Sequence, residues 1–552
     1  MRIVLTGGQS RLGRSVAAAL RGTHEVVVLE GDVRDEAAAQ RALEGAAVLL
    51  HLAPYALGED AGPGHPHGSN GSAGAGRWRA DREALDLATR GTYVLLNAAV
   101  EAGVRRVVLG STLALFERYP AQWAVSEAWR PLPDVTVVSH LAAYLAEESA
   151  KEIARVEPLQ VVCLRFADVV DDRVIAGQRY DPRWLHVDDA VQACRLALES
   201  TLGRGGQHSS GRVDHGWWVF HISGGGAYTR FPLARTRGET RGDHGLGYVP
   251  SRDFAGSPGA GEAPPWALDA DDADAGPDPK DALGPRQRIP SRPIRKVVVF
   301  GAGGPLAAAT APLLAPSYRL RLTDVRPLEE IVAEGKPQSA GAPLPEVLGP
   351  PHETLPVDVT DFEQVLRACE GMDAVVNCTV VRPHPVQAFL VNTIGAYHVA
   401  RAAVAHGIRR VVHTGPLQVL SDQPGGYAWD FRIPDAAPPR PGAWLYLHSK
   451  YLGQETVRLF AEAYDLEAPT LLFCNFVNPH VVRPGQYTVS PMTVSWDDAG
   501  HAVRRAVEAP SLPSPFETFH IMADLPHGKY SGQKAYRLLD WRPRDDLAHL
   551  LR

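Results

Sequence analysis

The sequence predicts an α/β fold built from two tandem doubly wound parallel sheets. Three observations predict it. The chain has 552 residues, which is too long for one ordinary hydrophobic core. Several segments recur in the same order in both halves. Short apolar runs such as VVVF, AVVN and RRVVHT alternate with Ala-rich helical stretches, as in strands that are buried on both faces and joined by helices.

The composition is that of a globular protein and argues against several kinds of partner. Hydrophobic residues make up 45% and charged residues 22% of the chain. The formal charge of −7 gives no support for a nucleic-acid surface or an anionic membrane as partner. No apolar run approaches the length of a membrane span, and MRIVLTGG enters a strand without a leader. The 5 cysteines form no CxxC pair, so we predict a reducing, cytoplasmic location and no metal site.

The recurring segments indicate an internal tandem duplication. EAGVRRVVLGS (101–111) matches AHGIRRVVHTG (405–415), and WLHVDDAVQA (184–193) matches TVSWDDAGHA (493–502). The first strand, MRIVLTGG, matches KVVVFGAGG. Matches in the same order over most of the chain point to two long copies and exclude a solenoid of short repeats.

The spacing of the matches locates the differences between the copies. In the second copy, residues are gained between the second strand, YRLRLTD, and the third, TLPVDVTD. The first copy gains a loop rich in Gly, His and Ser at 58–77. A Pro-, Gly- and Asp-rich stretch at 255–292 is typical of a linker. We therefore predict domains at 1–254 and 293–552.

The second copy contains a glycine turn after its first strand, typical of a Rossmann-like dinucleotide site. VVVFGAGGPLAAAT places Gly301, Gly304 and Ala307 at three-residue spacing. Such a turn lets the backbone approach a pyrophosphate and leaves a helix N-terminus free to hold its charge. The next strand ends at Asp324, where a carboxylate accepts hydrogen bonds from ribose and repels a 2′-phosphate. We therefore predict NAD as the cofactor.

The first copy has a weaker version of this turn. VLTGGQSRLGRS offers Gly7, Ser10 and Gly13 as cofactor-binding residues, with a hydroxymethyl group at the middle position. HEVVVLEGDVRDE then runs the second strand into the sequence of the third without the crossover that adjacent parallel strands need. Either one strand is missing, or Glu30 does not occupy the ribose position.

Taken together, these segments resemble the extended short-chain dehydrogenase/reductase superfamily, in its NAD-dependent epimerase/dehydratase group. The matching pieces are the glycine turn, VDVTD (357–361), GMDAVVNCT, VNTIGAYHVARAAVAHGIRRVVHTG, YLHSKYLGQE and the late WDD segment. The second copy resembles a uronate-dehydrogenase-like branch most. The resemblance covers most of both predicted domains, apart from the linker and 58–77.

The resemblance implies catalytic roles in the second copy. Tyr446 corresponds to the general acid/base, and Lys450 to the lysine that lowers the pKa of the tyrosine and holds the nicotinamide ribose. A nearby cation is needed because a tyrosine with a pKa near 10 is a poor base at neutral pH. Asp358 and Val359 correspond to residues beside the adenine.

The family also has a Ser or Thr after the strand that reads RRVVHT here, and at this point the copies differ. In the second copy that position is Pro416, which has no donor, and Thr414 is the nearby candidate. In the first copy it is Thr112, preceded by Ser111. There, however, the tyrosine and lysine are replaced by serine and alanine, at positions 139 and 143.

Other polar residues allow two interpretations. His65 and His67 form a His-x-His pair, but no third ligand accompanies them at a usual spacing, which favours a solvated loop over a metal site. His186 is predicted to line a substrate pocket or to pack in the interior. Two acid pairs are predicted to cap helix N-termini rather than to act as catalytic dyads: Asp188/Asp189 and Asp497/Asp498.

The sequence leaves two functions open. The first is an NAD-dependent oxidoreductase or epimerase acting on a sugar, sugar acid or nucleotide sugar, with chemistry in the second domain and a degenerate first domain. The second is a non-catalytic NAD(H)-binding sensor or scaffold in which both sites are degenerate. Family members pair through the tyrosine helix, so an intramolecular pseudo-dimer of the two domains is a further expectation of the resemblance.

Overall fold

The computed structural model describes residues 1–56, 75–202, 206–207, 213–214, 216–226, 228–239, 244–263, 284–337, 341–420, 427, 430–482 and 489–551. They form two compact units, Met1–Gly284 and Pro285–Arg552. Within the described ranges, no helix has the length and apolar character that crossing a bilayer requires. The predicted loop 58–77 and linker 255–292 lie partly outside these ranges, so the predicted domain limits remain a prediction.

Unit 1 alternates strands and helices along the chain. Its strands are β1 (Arg2–Thr6), β2 (Glu25–Val28), β3 (Val48–His51), β4 (Arg106–Thr112), β5 (Gln160–Phe166), β6 (Asp168–Val170), β7 (Trp184–His186), β8 (Gly206–Gln207), β9 (Val213–Asp214) and β10 (Trp217–Ile222). Its α-helices are α1 (Arg11–Leu20), α2 (Glu36–Leu43), α3 (Ala53–Ala56), α4 (Ala75–Asp86), α5 (Thr92–Glu101), α6 (Val138–Val156), α7 (Asp172–Ile175), α8 (Val187–Glu199) and α9 (Ala234–Arg237).

Unit 2 repeats this alternation. Its strands are β11 (Lys296–Phe300), β12 (Arg319–Asp324), β13 (Glu353–Pro356), β14 (Ala374–Asn377), β15 (Arg410–Pro416), β16 (Ala468–Phe473), β17 (Asn475–Val477), β18 (Thr493–Ser495) and β19 (Phe516–His520). Its α-helices are α10 (Pro305–Leu314), α11 (Leu328–Glu334), α12 (Phe362–Cys369), α13 (Pro385–Ala388), α14 (Gly395–Ala405), α15 (Leu445–Tyr464), α16 (Trp496–Glu508) and α17 (Gln533–Leu538).

Both units are built on a parallel, doubly wound sheet, as predicted. The strand order is β10-β5-β4-β3-β1-β2 in unit 1 and β13-β12-β11-β14-β15-β16-β19 in unit 2. Apart from the outermost β13, the two orders correspond strand by strand. Because the order reverses beside the first strand of each unit, a crevice forms there at the carboxyl ends of the strands.

The missing crossover in the first copy corresponds to a missing strand. After β2 ends at Val28, residues 29–35 are all described, and they lead into α2 without forming a strand. In unit 2, the corresponding stretch contains α11 and the added edge strand β13, which pairs with β12 from Arg321–Glu353 to Asp324–Pro356. The extra residues of the second copy therefore build a longer crossover and one more strand.

The helix beside the glycine turn of unit 2 packs closely on its neighbour. A Cβ added to Gly500 of α16 would lie 2.4 Å from the carbonyl oxygen of Ala309 in α10. Only glycine lets the two helix backbones approach this closely. Together with buried residues of the sheet such as Val297, Val376 and Leu471, these helices form the core on that face. This packing fixes the N-terminus of α10 against the end of β11.

The described ends of the predicted linker contact the units next to them. The carbonyl of Pro258 accepts a hydrogen bond of 2.8 Å from the backbone of Tyr180 in unit 1. The backbone N–H of Ile289 donates to the carbonyl of Tyr464 in unit 2, at 3.3 Å. Both described ends of the predicted linker are thus hydrogen-bonded to the unit beside them.

Candidate functional site

A cavity of about 980 Å³ lies at the carboxyl ends of the unit 2 strands. Every residue predicted for a site in the second copy lines it: Gly301, Gly304, Ala307, Asp324, Asp358, Val359, Thr414, Tyr446 and Lys450. These residues come from strand ends and helix starts spread over most of the unit. The fold therefore brings the predicted cofactor and catalytic residues to one place.

The glycine turn has the geometry that close backbone approach requires. Gly301 has a φ of +81°, and a Cβ there would lie 3.0 Å from the carbonyl carbon of Cys378. Gly304 is the residue before the first turn of α10, and no side chain caps that helix. Pro305, the first helical residue, has no N–H to satisfy. The N-terminus of α10 therefore meets the cavity without a side-chain cap from Gly304, and it is suited to hold an anion.

Asp324 is held at the edge of this turn by backbone hydrogen bonds. Its Oδ2 accepts from the N–H of Gly303 at 2.9 Å, and its Oδ1 accepts from the N–H of Val325 at 2.9 Å. A carboxylate oxygen has room for more than one donor. The carboxylate is thus oriented towards the cavity and retains acceptor capacity for ribose hydroxyls.

Asp358 and Val359 form the wall of the cavity beyond β13. The Oδ1 of Asp358 accepts from the N–H of Thr360 at 2.8 Å, which shapes the turn into α12. Val359 is buried, and its carbonyl contacts Nδ1 of His398 at 2.8 Å. These contacts make the wall a fixed turn that combines one acid with one apolar side chain.

Tyr446 and Lys450 lie one turn apart on α15 at the other end of the cavity. Lys450 is 3% exposed and its Nζ donates to the carbonyl of Thr379 at 3.3 Å. Burial lowers the pKa of Lys450 to about 8. Burial also raises the pKa of Tyr446, while the charge and a hydrogen bond of Arg382 act in the opposite direction. The phenolate of Tyr446 therefore depends on the cations around it.

Strand β15 offers no free hydroxyl donor to this end of the cavity. Thr414 lines the cavity, but its hydroxyl donates to the carbonyl of Asn377 at 2.9 Å. Gly415 has no side chain, and Pro416, the last residue of the strand, is buried and has no N–H. The Ser or Thr donor implied by the family resemblance is thus absent from its position.

Two residues of the site were not predicted from the sequence. Arg382 lines the cavity, and its guanidinium carbon lies 5.2 Å from the centre of the Tyr446 ring. Asn392 is buried and bonds the backbone of Val381 and the hydroxyl of Ser449. Arg382 follows β14, and ligands bind at the carboxyl ends of parallel strands. That position was the available signal, and nothing in the local sequence paired it with Tyr446.

The corresponding cavity of unit 1 is smaller and holds fewer of the predicted residues. It measures about 470 Å³ and is lined by Gly7 and Glu30, but not by Ser10 or Gly13. The Ser10 hydroxyl donates to the carbonyl of Gly7 at 2.7 Å and accepts from the N–H of Gly13 at 2.9 Å. A Cβ on Gly13 would lie 2.1 Å from the Gly7 carbonyl oxygen. Ser10 therefore closes its own turn, and Gly13 serves packing.

The hydroxyls kept by the first copy are also committed to structure. Ser111 donates to Glu147 at 2.5 Å, and Glu147 forms a buried ion pair with Arg165. Thr112 accepts from the N–H of Ala114 at 3.1 Å and caps the 3₁₀ turn that follows β4. Neither hydroxyl lines the cavity of unit 1.

The remaining candidates have structural roles or lie outside the described residues. His186 is buried and caps α8, with its Nδ1 accepting from the N–H of Asp188 at 3.2 Å, which favours the interior role over the pocket role. Asp189 and Asp498 lie inside the first helical turns, which corrects the prediction that the acid pairs are caps. The capping residues are His186 and Ser495. His65 and His67 belong to the segment that the structure does not describe.

Known proteins are similar to the second half of the chain. Residues 297–495 match the profile of the NAD dependent epimerase/dehydratase family. The second half of the chain carries a domain of this family. The matched range contains the glycine turn, Asp324, Tyr446 and Lys450. It begins inside β11 and ends at the last residue of β18.

Curated relatives match the chain at low identity. A uronate dehydrogenase of Pseudomonas syringae pv. tomato is 24% identical over 225 residues, 40% of this chain and 72% of that enzyme. A uronate dehydrogenase of Pseudomonas putida is 26% identical over 174 residues, 31% of this chain and 61% of that enzyme. An NAD-dependent glucose-6-phosphate dehydrogenase of Haloferax volcanii is 27% identical over 264 residues, 46% of this chain and 94% of that enzyme.

Solved structures are similar to about half of the chain. The uronate dehydrogenase of Agrobacterium tumefaciens has 24% identity and a TM-score of 0.37, covering 46% of this chain and 85% of that protein. A dTDP-glucose 4,6-dehydratase of Streptomyces venezuelae with NAD bound has 16% identity and a TM-score of 0.36, covering 47% and 96%.

Proposed function

We propose that unit 2 binds NAD(H) and transfers a hydride between the cofactor and a carbon of a sugar, sugar acid or nucleotide sugar. One observation carries the proposal: the glycine turn, Asp324 and the pair Tyr446/Lys450 line the same cavity. Relatives named as uronate and glucose-6-phosphate dehydrogenases support the class of substrate.

The residues of the cavity fit NAD. Gly301 leaves the space for a pyrophosphate beside the uncapped N-terminus of α10, because a Cβ there would meet Cys378. Asp324 lines the same cavity, where its carboxylate would accept from the ribose next to the adenine and would repel a 2′-phosphate. Arg326 also lines the cavity, but it is paired with Glu334 and so adds little net positive charge. The site therefore favours NAD over NADP.

The chemistry follows from the groups at the Tyr446 end. NAD supplies the hydride acceptor there when it is bound. The phenolate oxygen of Tyr446 takes the proton of the substrate hydroxyl, and in the reverse direction it returns that proton to the carbonyl oxygen. Lys450 stabilises the phenolate by its charge, which burial makes effective over a short distance. Its ammonium is held in place by the Thr379 carbonyl.

A second candidate function is a non-catalytic NAD(H)-binding sensor or scaffold. The observation that favours it is the end of β15, where Pro416 replaces the hydroxyl donor and Thr414 donates to Asn377. Such a protein would bind the cofactor with the same glycine turn and Asp324, but would not turn over a sugar.

Titration of the full-length protein with NAD and NADP, followed by an assay of NADH formation, separates the two functions. We expect NAD to bind more tightly than NADP, and Asp324→Ala to weaken NAD binding about tenfold and to reduce the preference for NAD over NADP. Glucuronate, glucose 6-phosphate and UDP-glucose serve as probes for turnover. Tyr446→Phe should keep NAD binding and lower the rate by a factor of about 100 or more.

The outcomes are distinct. NAD binding without turnover of any probe would favour the sensor or scaffold. If NAD does not bind to the wild-type protein at all, both proposed functions fail.

A further inference from the structure

Arg382 lines the cavity, but it has no role in the proposed chemistry described above. It follows β14 and lines the cavity together with Tyr446 and Lys450. Its guanidinium carbon lies 5.2 Å from the centre of the Tyr446 ring, and its positive charge favours the phenolate of Tyr446. Arg382 is also an exposed residue. A bound substrate can therefore reach the same guanidinium that contacts Tyr446.

The backbone beside Arg382 is tied to the helix that carries Tyr446. Asn392 is 2% exposed, and its amide donates to the carbonyl of Val381 at 2.7 Å and to the hydroxyl of Ser449 at 3.0 Å. Its carbonyl oxygen accepts from the N–H of Val381 at 3.0 Å. Ser449 precedes Lys450 on α15. The side-chain amide of Asn392 thus fixes the loop after β14 relative to α15.

The hydrogen bonds of Asn392 require close packing against α15, and this packing depends on Gly453. A Cβ at Gly453 of α15 would lie 2.0 Å from the carbonyl oxygen of Asn392. Asn392 itself lies in a π-helical segment, Phe389–Ile394. Such segments occur often at functional sites, since the extra residue reorients the side chains around it. The contacts of Asn392 and Gly453 thus fix the backbone beside Arg382 close to Tyr446 before any substrate binds.

The strand that should supply a donor leaves that role open. Thr414 is committed to Asn377, and Pro416 has neither an N–H nor a polar side chain. A guanidinium has several N–H donors in a planar fork, so it can serve two oxygens at once. Arg382 is therefore able to contact the Tyr446 oxygen and a substrate oxygen together.

We propose that Arg382 is a further catalytic residue of this site, whose guanidinium donates to the Tyr446 oxygen and to the reacting oxygen of the substrate. It supplies the donor that β15 lacks at Pro416. The inference rests on the proposed oxidoreductase function. As the substrate is oxidised, its hydroxyl proton passes to the Tyr446 oxygen and its C–H electron pair leaves as hydride towards the nicotinamide. Arg382 remains protonated throughout and stabilises the negative charge on oxygen.

Several charged or titratable groups surround Tyr446. Arg382 approaches from the loop after β14, Cys474 from the end of β16, and Lys450 lies one turn along α15. Burial raises the pKa of Tyr446, Arg382 lowers it through charge and a hydrogen bond, and Cys474 raises it. Loss of the Arg382 charge should consequently make the phenolate harder to form.

The first test measures the protonation of Tyr446 directly. Full-length protein labelled with ¹³C at the tyrosine ζ carbon is titrated by NMR with and without NAD, and Tyr446→Phe identifies the signal. Arg382→Met should raise the pKa of Tyr446 by about one pH unit or more, and Arg382→Lys should raise it less. Arg504→Met removes a guanidinium that pairs with Glu508 on α16 and should leave the signal unchanged. An unchanged pKa in Arg382→Met would overturn the proposal.

The second test uses glucuronate oxidation. Arg382→Met should lower kcat by about 100-fold with a smaller effect on KM, and should move the acidic limb of the rate to higher pH. A large rise in KM with an unchanged pH profile would instead assign Arg382 to anchoring a substrate carboxylate, against the proposal. If wild-type protein neither binds NAD nor reacts, the proposed function fails, while the titration without NAD still decides whether Arg382 is coupled to Tyr446.

Discussion

At the scale of single residues, burial decides the protonation of the groups around the cavity. It lowers the pKa of Lys450 to about 8 and raises that of Tyr446. The two shifts oppose each other, because the lysine loses its charge at a lower pH than that at which the phenolate forms. Arg382 places a second cation beside the Tyr446 ring. The arginine is therefore a physical complement to a lysine that burial has weakened.

Burial also changes the pKa of Asp435, and this change makes the stability of the fold depend on pH. Its Oδ1 accepts from the backbone N–H of His520 in β19 at 2.6 Å, and burial raises its pKa to about 6. Because the folded state holds this proton more tightly than the unfolded state, stability falls as pH rises from about 4 to about 6.

We expect Asp435→Asn to remove this dependence. The variant should match the wild type near pH 4 and exceed its free energy of unfolding by on the order of 2 kcal/mol at pH 7. Urea unfolding at a series of pH values, followed by hydrogen exchange of β19 peptides, measures the difference. A constant difference between the two proteins from pH 4 to pH 7 would contradict the assignment.

At the scale of elements, the turn between β11 and α10 contains a residue in left-handed backbone, Gly301, at the proposed cofactor site. Gly301 has a φ of +81° and lies against the Cys378 backbone. Gly371 also has a positive φ, +71°, but a Cβ there would meet nothing within 4 Å. Comparing substitutions at the two glycines therefore distinguishes the cost of left-handed backbone from the cost of a steric clash.

Gly301→Ala and Gly371→Ala form a matched pair. Both should lose about 1–2 kcal/mol of stability, since each forces a side chain into left-handed backbone. Only Gly301→Ala should also lower NAD affinity, by tenfold or more, as its Cβ displaces the turn. Denaturation and NAD titration measure both effects. Equal NAD affinity in the two variants would place the cofactor away from this turn.

The buried ion pair of unit 1 has a neutral counterpart in unit 2. Ser111 pairs in register with Arg165, and Gly415 pairs in register with Leu472. A Cβ on Gly415 would lie 3.2 Å from Oε1 of Gln454. The Ser–Glu–Arg cluster that includes Glu147 thus corresponds to Gly, Gln and Leu in unit 2.

This correspondence predicts how unit 1 responds to substitution. Glu147→Gln should destabilise unit 1 by about 3–5 kcal/mol, because it leaves the Arg165 charge buried without a partner. The double variant Glu147→Gln/Arg165→Leu copies the arrangement in unit 2 and should recover most of the loss. Hydrogen exchange of β5 peptides in urea measures unit 1. A double variant as unstable as Glu147→Gln alone would contradict the correspondence.

At the scale of the whole molecule, the two units repeat contacts as well as strand order. In unit 1, the carboxylate of Glu127 accepts from the backbone N–H of His221 at 3.1 Å, as Asp435 does from His520 in unit 2. Arg106 donates to the last carbonyls of α8, and Arg410 does the same at α16. These paired details support a tandem duplication, which we propose as the origin of the chain.

The first-turn acids of α8 and α16 add a further parallel. Asp189 accepts from the backbone of Ser251 at 2.7 Å, and Asp498 accepts from the backbone of Arg544 at 3.0 Å. In each unit, a buried carboxylate in the first turn of a helix accepts a hydrogen bond from the backbone of a segment later in the chain. Negative charge is favourable at this end of a helix, so the same contact also stabilises the helix.

We expect one NAD to bind per chain. The unit 1 cavity of about 470 Å³ compares with about 980 Å³ in unit 2, and Ser10 occupies the turn that should approach a pyrophosphate. Calorimetric titration of the full chain measures the stoichiometry, and Gly301→Ala should weaken the one observed site. A second site that persists in this variant would restore Gly7, Ser10 and Gly13 as cofactor-binding residues.

The sequence alone determined the features that depend on local pattern. Apolar runs alternating with helical stretches predicted both parallel sheets, and the direct passage from VVVLEG to DVRDE allowed for a missing strand. The residues predicted for the unit 2 site also lie together, because strand ends in a parallel sheet meet at one edge. Local pattern is sufficient in these cases since periodicity and turn chemistry act over a few residues.

Only the tertiary structure decided which polar groups remain available to a ligand. The sequence shows Ser10, Ser111, Thr112 and Thr414 as hydroxyls, whereas the fold commits each of them to a hydrogen bond. It also brings Arg382 to Tyr446 through a buried asparagine. Ser10 and Thr112 bond to near neighbours in the chain. The contacts of Ser111, Thr414 and Arg382 join residues distant in the chain, and their geometry is set by packing and by the need of buried polar groups for a partner.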